Sequence, residues 1–244
     1  MSNKPKILIF DIETSPNVGY FWSTGHKINV GPENIAEERQ VICIGYKWLG
    51  HRTVHSLEWG TKRSTTRDKK LLRDFSKIYA KADMVVAHNG DNFDIKWLKT
   101  RIMFHDLDPL PPVHQCDTLK EFRKNFRLNS NRLDYVAKFL GGDGKSPMTF
   151  DDWKKVMAGD EAALTKMVKY CKKDVQLLED VYLRTRRHFK DHGIMGSYNR
   201  EVCPQCEGTP HKNGIYRTRT GRYQKYKCNH CGHVYRDTRM LKDG

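Results

Sequence analysis

The order of apolar patterns along the chain predicts an α/β fold, a mixed sheet with helices on both faces, followed by a small separate module. Two observations carry this expectation. Three strand-like segments come first, and strands then alternate with helical stripes, the order of an antiparallel meander continued by parallel strands. Beyond residue 190 that pattern stops, and two CxxC pairs take its place.

The first element is the run from Lys6 through Ile-Leu-Ile-Phe to Glu13, short, apolar and rich in β-branched residues, which reads as a buried strand. Residues 16–40 carry Pro and Gly without either period and read as a long loop. VICIGYKW (41–48) and TVHSLEW (53–59), separated by Leu-Gly-His-Arg, form a predicted β-hairpin. Leu71, Leu72, Phe75, Ile78 and Tyr79 make a helical stripe. MVVAH (84–88) returns to strand character, and Phe93, Ile95, Leu98 and Ile102 mark a helix to Phe104. After Pro109, Pro111 and Pro112 a strand is expected over 113–116, then helices near 117–126, 131–140 and 149–157. A last helix spans about 160–188, with Leu164, Met167, Cys171, Val175 and Leu178 on one side. The expected division is a domain over 1–190, a linker over 191–199 and a module over 200–244.

The chain has 44 Lys and Arg against 29 Asp and Glu, a formal charge of +15, which favours a polyanionic partner. Nucleic acid is expected rather than membrane, because no amphipathic basic helix dominates and no run approaches the roughly 18 apolar residues of a span. The N-terminus lacks a signal-like apolar stretch before Asp11, so a cytoplasmic protein is expected.

Three groups of residues carry chemistry. Asp11 and Glu13 stand at i and i+2 at the end of the first strand, so their side chains share one face. Two carboxylates amid apolar neighbours are costly unless a cation joins them. Asp94 follows Asn89-Gly-Asp-Asn-Phe93 at a strand-to-helix turn, and Asp91 fits the acidic first turn of that helix. Tyr170 and Asp174, four apart, share a face of the last helix, next to the apolar side made by Cys171 and Val175. Hard divalent ions take oxygen ligands, and two of them activate a water and relieve a leaving oxygen in phosphodiester cleavage.

Asp-x-Glu, Asn-x-x-x-Phe-Asp and Tyr-x-x-x-Asp, in that order, resemble the DEDD (DnaQ-like) superfamily of 3′–5′ exonucleases over residues 6–188. The tyrosine points to its DEDDy branch, which includes the proofreading domains of several DNA polymerases. Histidine-type members carry their His five residues before the last Asp, where this chain has Lys169. Asp117-Thr-Leu and Asn131-Arg-Leu-Asp134 are similar to the intervening segment of such enzymes. The resemblance implies a ribonuclease H-like fold. It also implies a 3′–5′ exonuclease, with Asp11, Glu13, Asp94, Tyr170 and Asp174 as catalytic residues and two Mg²⁺ or Mn²⁺ on the four carboxylates. Asp11 would bridge the ions, Glu13 and Asp174 would complete the nucleophile side, and Asp94 would hold the other ion largely through water. A phenol with a reference pKa of about 10 suits Tyr170 to orienting the attacking water rather than deprotonating it.

Tyr20, Phe21 and Trp22 are expected either to stack on the bases of a frayed 3′ end or to pack the loop. Asn89 and Phe93 are further candidate substrate contacts, whereas His88 reads as a satisfied strand-end residue. The preferred substrate is single-stranded DNA or a frayed 3′ end, with RNA as the alternative and a polymerase or repair protein as a partner in trans. A ribonuclease or structure-selective endonuclease on the same fold, or a non-catalytic nucleic-acid binder, are the competing readings.

Cys203-Pro-Gln-Cys206 and Cys228-Asn-His-Cys231 enclose a basic stretch, a spacing that suits four thiolates on one structural Zn²⁺. Residues 200–236 resemble a zinc ribbon, with disulfides the weaker alternative in the absence of a secretory signal. About 45 residues bury too little apolar surface to fold unaided, so metal binding would supply the folding free energy. The segment GIYRTRTGRYQKYKC alternates aromatic or apolar with basic residues, as a two-stranded ribbon should, and Arg217, Arg219, Arg222 and Lys225 are candidate nucleic-acid contacts. Cys43, Cys116 and Cys171 read as buried small hydrophobes.

Overall fold

The computed structural model describes residues 5–25, 30–62, 64–143, 148–189, 202–203 and 208–241. The chain divides into two compact units, Met1–Tyr182 and Leu183–Gly244. The linker expected over 191–199 lies outside the described residues.

In the first unit, β1 (Ile7–Thr14) is the centre of a five-stranded sheet. On one side it pairs antiparallel with β4 (Val41–Trp48), and β4 with β5 (His55–Glu58). On the other it pairs parallel with β6 (Met84–Ala87), and β6 with β7 (His114–Asp117). Strand order is β5-β4-β1-β6-β7, the predicted meander continued by parallel strands. Ile7 to Phe10 are all buried, because both faces of this central strand are covered.

One face carries α1 (Lys69–Tyr79): Phe10 packs its ring 5.3 Å from Phe75 and 6.4 Å from Tyr79. The other carries α6 (Glu161–Thr185), whose buried Cys171, Val175 and Leu178 form its inward stripe. Gly45 on β4 sets how near α6 can come. A Cβ there would lie 3.1 Å from both Cys171 Sγ and the Val175 side chain, and 3.2 Å from the Cys171 carbonyl oxygen. Gly45 is the register partner of Asp11, so the close approach occurs beside the first carboxylate.

Between these lie α2 (Asp94–Phe104), α3 (Thr118–Asn125), α4 (Leu133–Phe139) and α5 (Phe150–Met157). Asp117 caps α3 by accepting from Leu119 N and Lys120 N, so β7 ends one residue later than the sequence implied. Thr149 and Asp152 form a capping box on α5, and Lys166 of α6 donates to both Asp152 oxygens at 2.8 and 2.9 Å. A fully buried ion cluster ties α1 to α2. Asp68 accepts from Arg101 at 2.7 and 2.9 Å, from His105 at 2.6 Å and from the Val41 amide at 3.1 Å.

The segment read as a loop over 16–40 contains a small ribbon, β2 (Val18–Gly19) paired with β3 (Ile35–Glu37), and a 3-10 turn over Pro32–Asn34. Strands of two and three residues show no period, which is why sequence pattern missed them.

The second unit contains a three-stranded antiparallel sheet of β8 (Pro210–Arg217), β9 (Arg222–Cys228) and β10 (Val234–Met240), in the order β10-β9-β8. Strands β8 and β9 form the two-stranded ribbon expected between the cysteine pairs, and β10 follows the second pair.

Candidate active site

The carboxylates arise from the alternation of β1. Phe10 and Ile12 are buried, whereas Asp11 and Glu13 are partly accessible on the face that Gly45 and α6 share. Asp174 stands on α6 one turn beyond Cys171 and is buried. The structure brings ligand oxygens of Asp11, Glu13 and Asp174 within 4.8 Å of one another. Three carboxylates this close repel in the ionised form, and a divalent cation is the group that relieves them. The donor set is oxygen throughout, which fits Mg²⁺ or Mn²⁺ rather than a soft metal.

Asp94 enters from the other direction. β6 ends at Ala87 while β1 continues to Thr14, so β1 outruns its parallel neighbour. Asp94 Oδ1 accepts the Ile12 amide at 3.1 Å, which places its carboxyl against the backbone between Asp11 and Glu13. Only 2% of Asp94 is exposed. Delivery depends on a tight turn after β6: Asn89 adopts φ 67°, and a Cβ on Gly90 would meet Ala87 Cβ at 2.6 Å. Asp117 holds this turn from below, accepting from Asn89 N at 2.9 Å and Asp91 N at 3.3 Å. His88 contacts Thr118 Oγ1 and the Asn131 carbonyl, both at 2.9 Å, as a satisfied strand-end residue does. Asp91 pairs with Lys120.

Tyr170 is half-buried one turn before Asp174 on α6. Cys171 and Cys43 lie on the sheet side of the carboxylates. Cys171 Sγ accepts the Gly45 amide at 3.1 Å and lies 3.4 Å from the Asp11 carbonyl oxygen. Its hydrogen bond with Cys43, its burial and the charges of Asp11 and Glu13 together hold its thiol well above the ordinary range. For Cys43 the hydrogen bond from Cys171 favours the thiolate, but burial and the nearby carboxylates outweigh it and the thiol is again pushed up. Both cysteines are therefore neutral supports beneath an acidic site. Cys116, away from it, is pushed up to about 12 by burial.

A cavity of about 360 Å³ opens beside Glu13, with Ser15, Arg39, Phe93, Phe150 and Trp153 among its walls. Arg39 lies with its guanidinium 5.0 Å from the Trp97 ring, and Trp153 donates to the Thr14 carbonyl at 3.1 Å, fixing α5 to the end of β1. Phe93 was legible as a candidate contact. Arg39 and Trp153 were not, because only the fold brings residues 39 and 153 to residue 13. Tyr20, Phe21 and Trp22 are exposed, Trp22 fully, so Trp22 does not pack the loop as one of the two expectations had it.

In the second unit, ligand sulfurs of Cys203, Cys228 and Cys231 lie within 4.8 Å of one another. The Cys203 and Cys231 sulfurs are 3.6 Å apart, and His230 N donates to Cys228 Sγ at 3.3 Å. Gly232 adopts φ 72° just past the second pair, a turn that a side chain would strain. Cys206 lies outside the described residues. Three converging thiols with an amide aimed at one sulfur fit a tetrahedral zinc site.

No curated protein sequence matches the chain. Among solved structures, the fold is similar to that of the family B DNA polymerase from the hyperthermophilic archaeon Pyrobaculum calidifontis, with a TM-score of 0.53 and 18% identity. That match covers 75% of this chain but only 25% of the polymerase, so the likeness is to a part of the larger protein. The family model described as RNase_H superfamily matches residues 33–185, taking in Asp94 and Asp174 and beginning after Asp11 and Glu13. Since that match spans more than half of the 244 residues and the mixed sheet agrees with it, the chain belongs to the RNase_H superfamily.

Proposed function

We propose that this protein is a metal-dependent 3′–5′ exonuclease that hydrolyses nucleic-acid phosphodiester bonds, with single-stranded DNA or a frayed 3′ end as substrate. The observation that carries this reading is the convergence of Asp11, Glu13 and Asp174, from two separate elements, within 4.8 Å. The membership and the likeness to part of a DNA polymerase support it. Asp11, Glu13, Asp94 and Asp174 would hold two Mg²⁺ or Mn²⁺, and ions bound there would supply a more acidic water and charge relief on the leaving oxygen.

The chain's own groups do the rest. Tyr170, on the same helical face as Asp174, orients the attacking water through its hydroxyl. The water gives up a proton to solvent as its oxygen bonds to phosphorus and the bond to the 3′ oxygen of the penultimate nucleotide breaks; that 3′ oxygen takes a proton from solvent, and a nucleoside 5′-monophosphate leaves. Buried Asp94, hydrogen-bonded to the Ile12 amide, keeps the end of β1 in register so that Asp11 and Glu13 stay aimed. The cavity beside Glu13 receives the terminal nucleoside, with Phe93 and Trp153 against the base and Arg39 available to an anionic oxygen. Tyr20 and Trp22, exposed on the neighbouring segment, offer stacking surface to the approaching strand. The nuclease domain is assigned to 1–190 and the cysteine module to 200–244, where Cys203, Cys206, Cys228 and Cys231 hold one structural Zn²⁺.

The test is hydrolysis of a 5′-labelled oligonucleotide with Mg²⁺ or Mn²⁺. The wild-type protein should give a 3′-shortened ladder that a blocked 3′ end suppresses. Asp174→Asn should lower the rate by at least roughly 10²-fold, the scale for removing one strong electrostatic stabiliser of a transition state. Undiminished cleavage by the variant sinks the assignment, and cleavage indifferent to the 3′ block makes the protein an endonuclease.

A further inference from the structure

The C-terminal sheet has two unlike faces. Directly opposed residues of antiparallel strands share a face, so the register sorts the side chains. Tyr226 opposes Tyr235 and Lys212, and Cys228 opposes Pro210. On this face Tyr226 is buried and stacks on Tyr235 at 5.5 Å, beside the cysteines. The other face collects Tyr223 with Tyr216, Lys225 with Arg236, and Lys227 with Val234 and His211. Tyr216, Lys227, Val234 and Arg236 are exposed there.

The outer face is organised. The Arg236 guanidinium lies 4.4 Å from the Tyr223 ring and 5.4 Å from the Tyr216 ring, so an exposed cation is held against two aromatic surfaces. Lys225 lies over Gly214, a site without a side chain to cover it. The one carboxylate among the described residues of this sheet is Asp237, which is buried. Exposed Lys227 and Arg236 and half-buried Lys225, interleaved with tyrosine rings and with no exposed carboxylate among the described residues of the sheet, are complementary to a strand whose phosphates are anionic and whose bases are unpaired.

We propose that this outer face, built from Tyr216, Tyr223, Lys225, Lys227 and Arg236, is a binding surface for single-stranded nucleic acid. Phosphates meet Arg236, Lys225 and Lys227, and a base stacks on the exposed side of the Tyr216–Tyr223 pair. The assignment sharpens the sequence expectation. Lys225 belongs to the surface, whereas Arg217 and Arg222 oppose one another on the other face and Arg219 lies in the β8–β9 turn. The surface is independent of the exonuclease reading, because binding needs no metal-held water.

The experiment is fluorescence anisotropy of a labelled (dT)20 oligonucleotide with the full-length zinc-loaded chain, without added Mg²⁺ or Mn²⁺. Tyr223→Ala should weaken binding at least about fivefold, the lower end of the stacking range, while Tyr223→Phe should not. Arg236→Ala should weaken it and reduce the slope of log affinity against log salt by about 0.7, whereas Arg217→Ala should have the smaller effect. Zinc content and circular dichroism show whether each variant is folded. If Tyr223→Ala loses zinc, exposed Lys227→Gln against Arg217→Gln decides the point. Equal losses from the two faces, unchanged affinity in the outer-face variants, or equally tight binding of a hairpin duplex would each overturn the proposal. Hydrolysis of a small phosphodiester reporter, thymidine 5′-monophosphate p-nitrophenyl ester with Mg²⁺, reads the active site separately. Outer-face variants should retain it, so failure of the binding surface and failure of the exonuclease reading are distinguishable.

Discussion

The two clusters of candidate ligands are held in opposite ways. Asp11, Glu13, Asp94 and Asp174 hang from a central strand and two helices already fixed by Leu8, Phe10, Ile12, Leu98, Cys171 and Val175, all nearly or wholly buried. The cysteines stand at the end of a sheet whose buried residues are few: Cys203, Tyr226, Cys228 and Asp237 among those described. In the first unit, packing alone holds the acids together against their repulsion, whether or not an ion is bound. In the second, the ion would itself be the core. The same convergence of ligands is thus a cost in one unit and, with an ion bound, would be the source of folding in the other.

The largest effect is expected from Cys228→Ser. Structural zinc contributes about 10–16 kcal/mol in small zinc modules, so β8–β10 should lose amide-exchange protection while the first unit keeps its own. Simultaneous unfolding of both units would refute separate support. The converse variant is Asp68→Asn. It leaves buried Arg101 without its ionised partner, at a cost of about 3–5 kcal/mol, and should lower the melting temperature of the first unit without releasing zinc. Asp68 also fixes a pH dependence. Burial opposes its ionisation, but Arg101, His105 and the Val41 amide prevail and hold its carboxyl below the ordinary range. A depressed folded pKa stabilises fully above the unfolded value of about 3.9 and is lost as pH falls below it. Thermal melts from pH 6 to pH 3 should therefore steepen in wild type below about pH 4, and less so in Asp68→Asn.

Gly45→Ala tests how closely the packed unit is fitted at its site. The added methyl must displace Cys171 or Val175 by a few tenths of an ångström, costing about 1–3 kcal/mol. Because the displaced helix carries Asp174, nuclease activity should fall even where the protein is fully folded, measured by turnover well below the melting point. Smallest is Trp153→Phe, which removes the hydrogen bond to the Thr14 carbonyl. A loss of about 0.5–1.5 kcal/mol is expected from a thermal melt.

Much of the first unit was legible because its signals are local. Strand β1 showed itself by β-branched density, α1 and α6 by their stripes, and the Asp11–Glu13 pair by the period of two. What escaped is what only tertiary contact creates. Nothing near Arg39 in the chain announces Trp97 or the cavity beside Glu13. Cys43 and Cys171 were legible as buried, but not as a pair of neutral thiols beneath the carboxylates. Asp117 read as the start of a helix, whereas its oxygens also hold the Asn89 turn that delivers Asp94. In the second unit the cysteine spacing announced the cluster, but which basic residues share a face depends on strand register. That register is shifted between Lys212 and Ile215, where alternation alone would assign the wrong partners.

The bond from the Ile12 amide to Asp94 has a spectroscopic consequence. Most central-strand amides donate to a neutral carbonyl, but this one donates to a carboxyl oxygen at 3.1 Å, so its proton resonance follows any change in charge around that group. In a ¹⁵N-labelled sample, one cross-peak would report on the Asp94 carboxyl from inside the sheet without any attached probe.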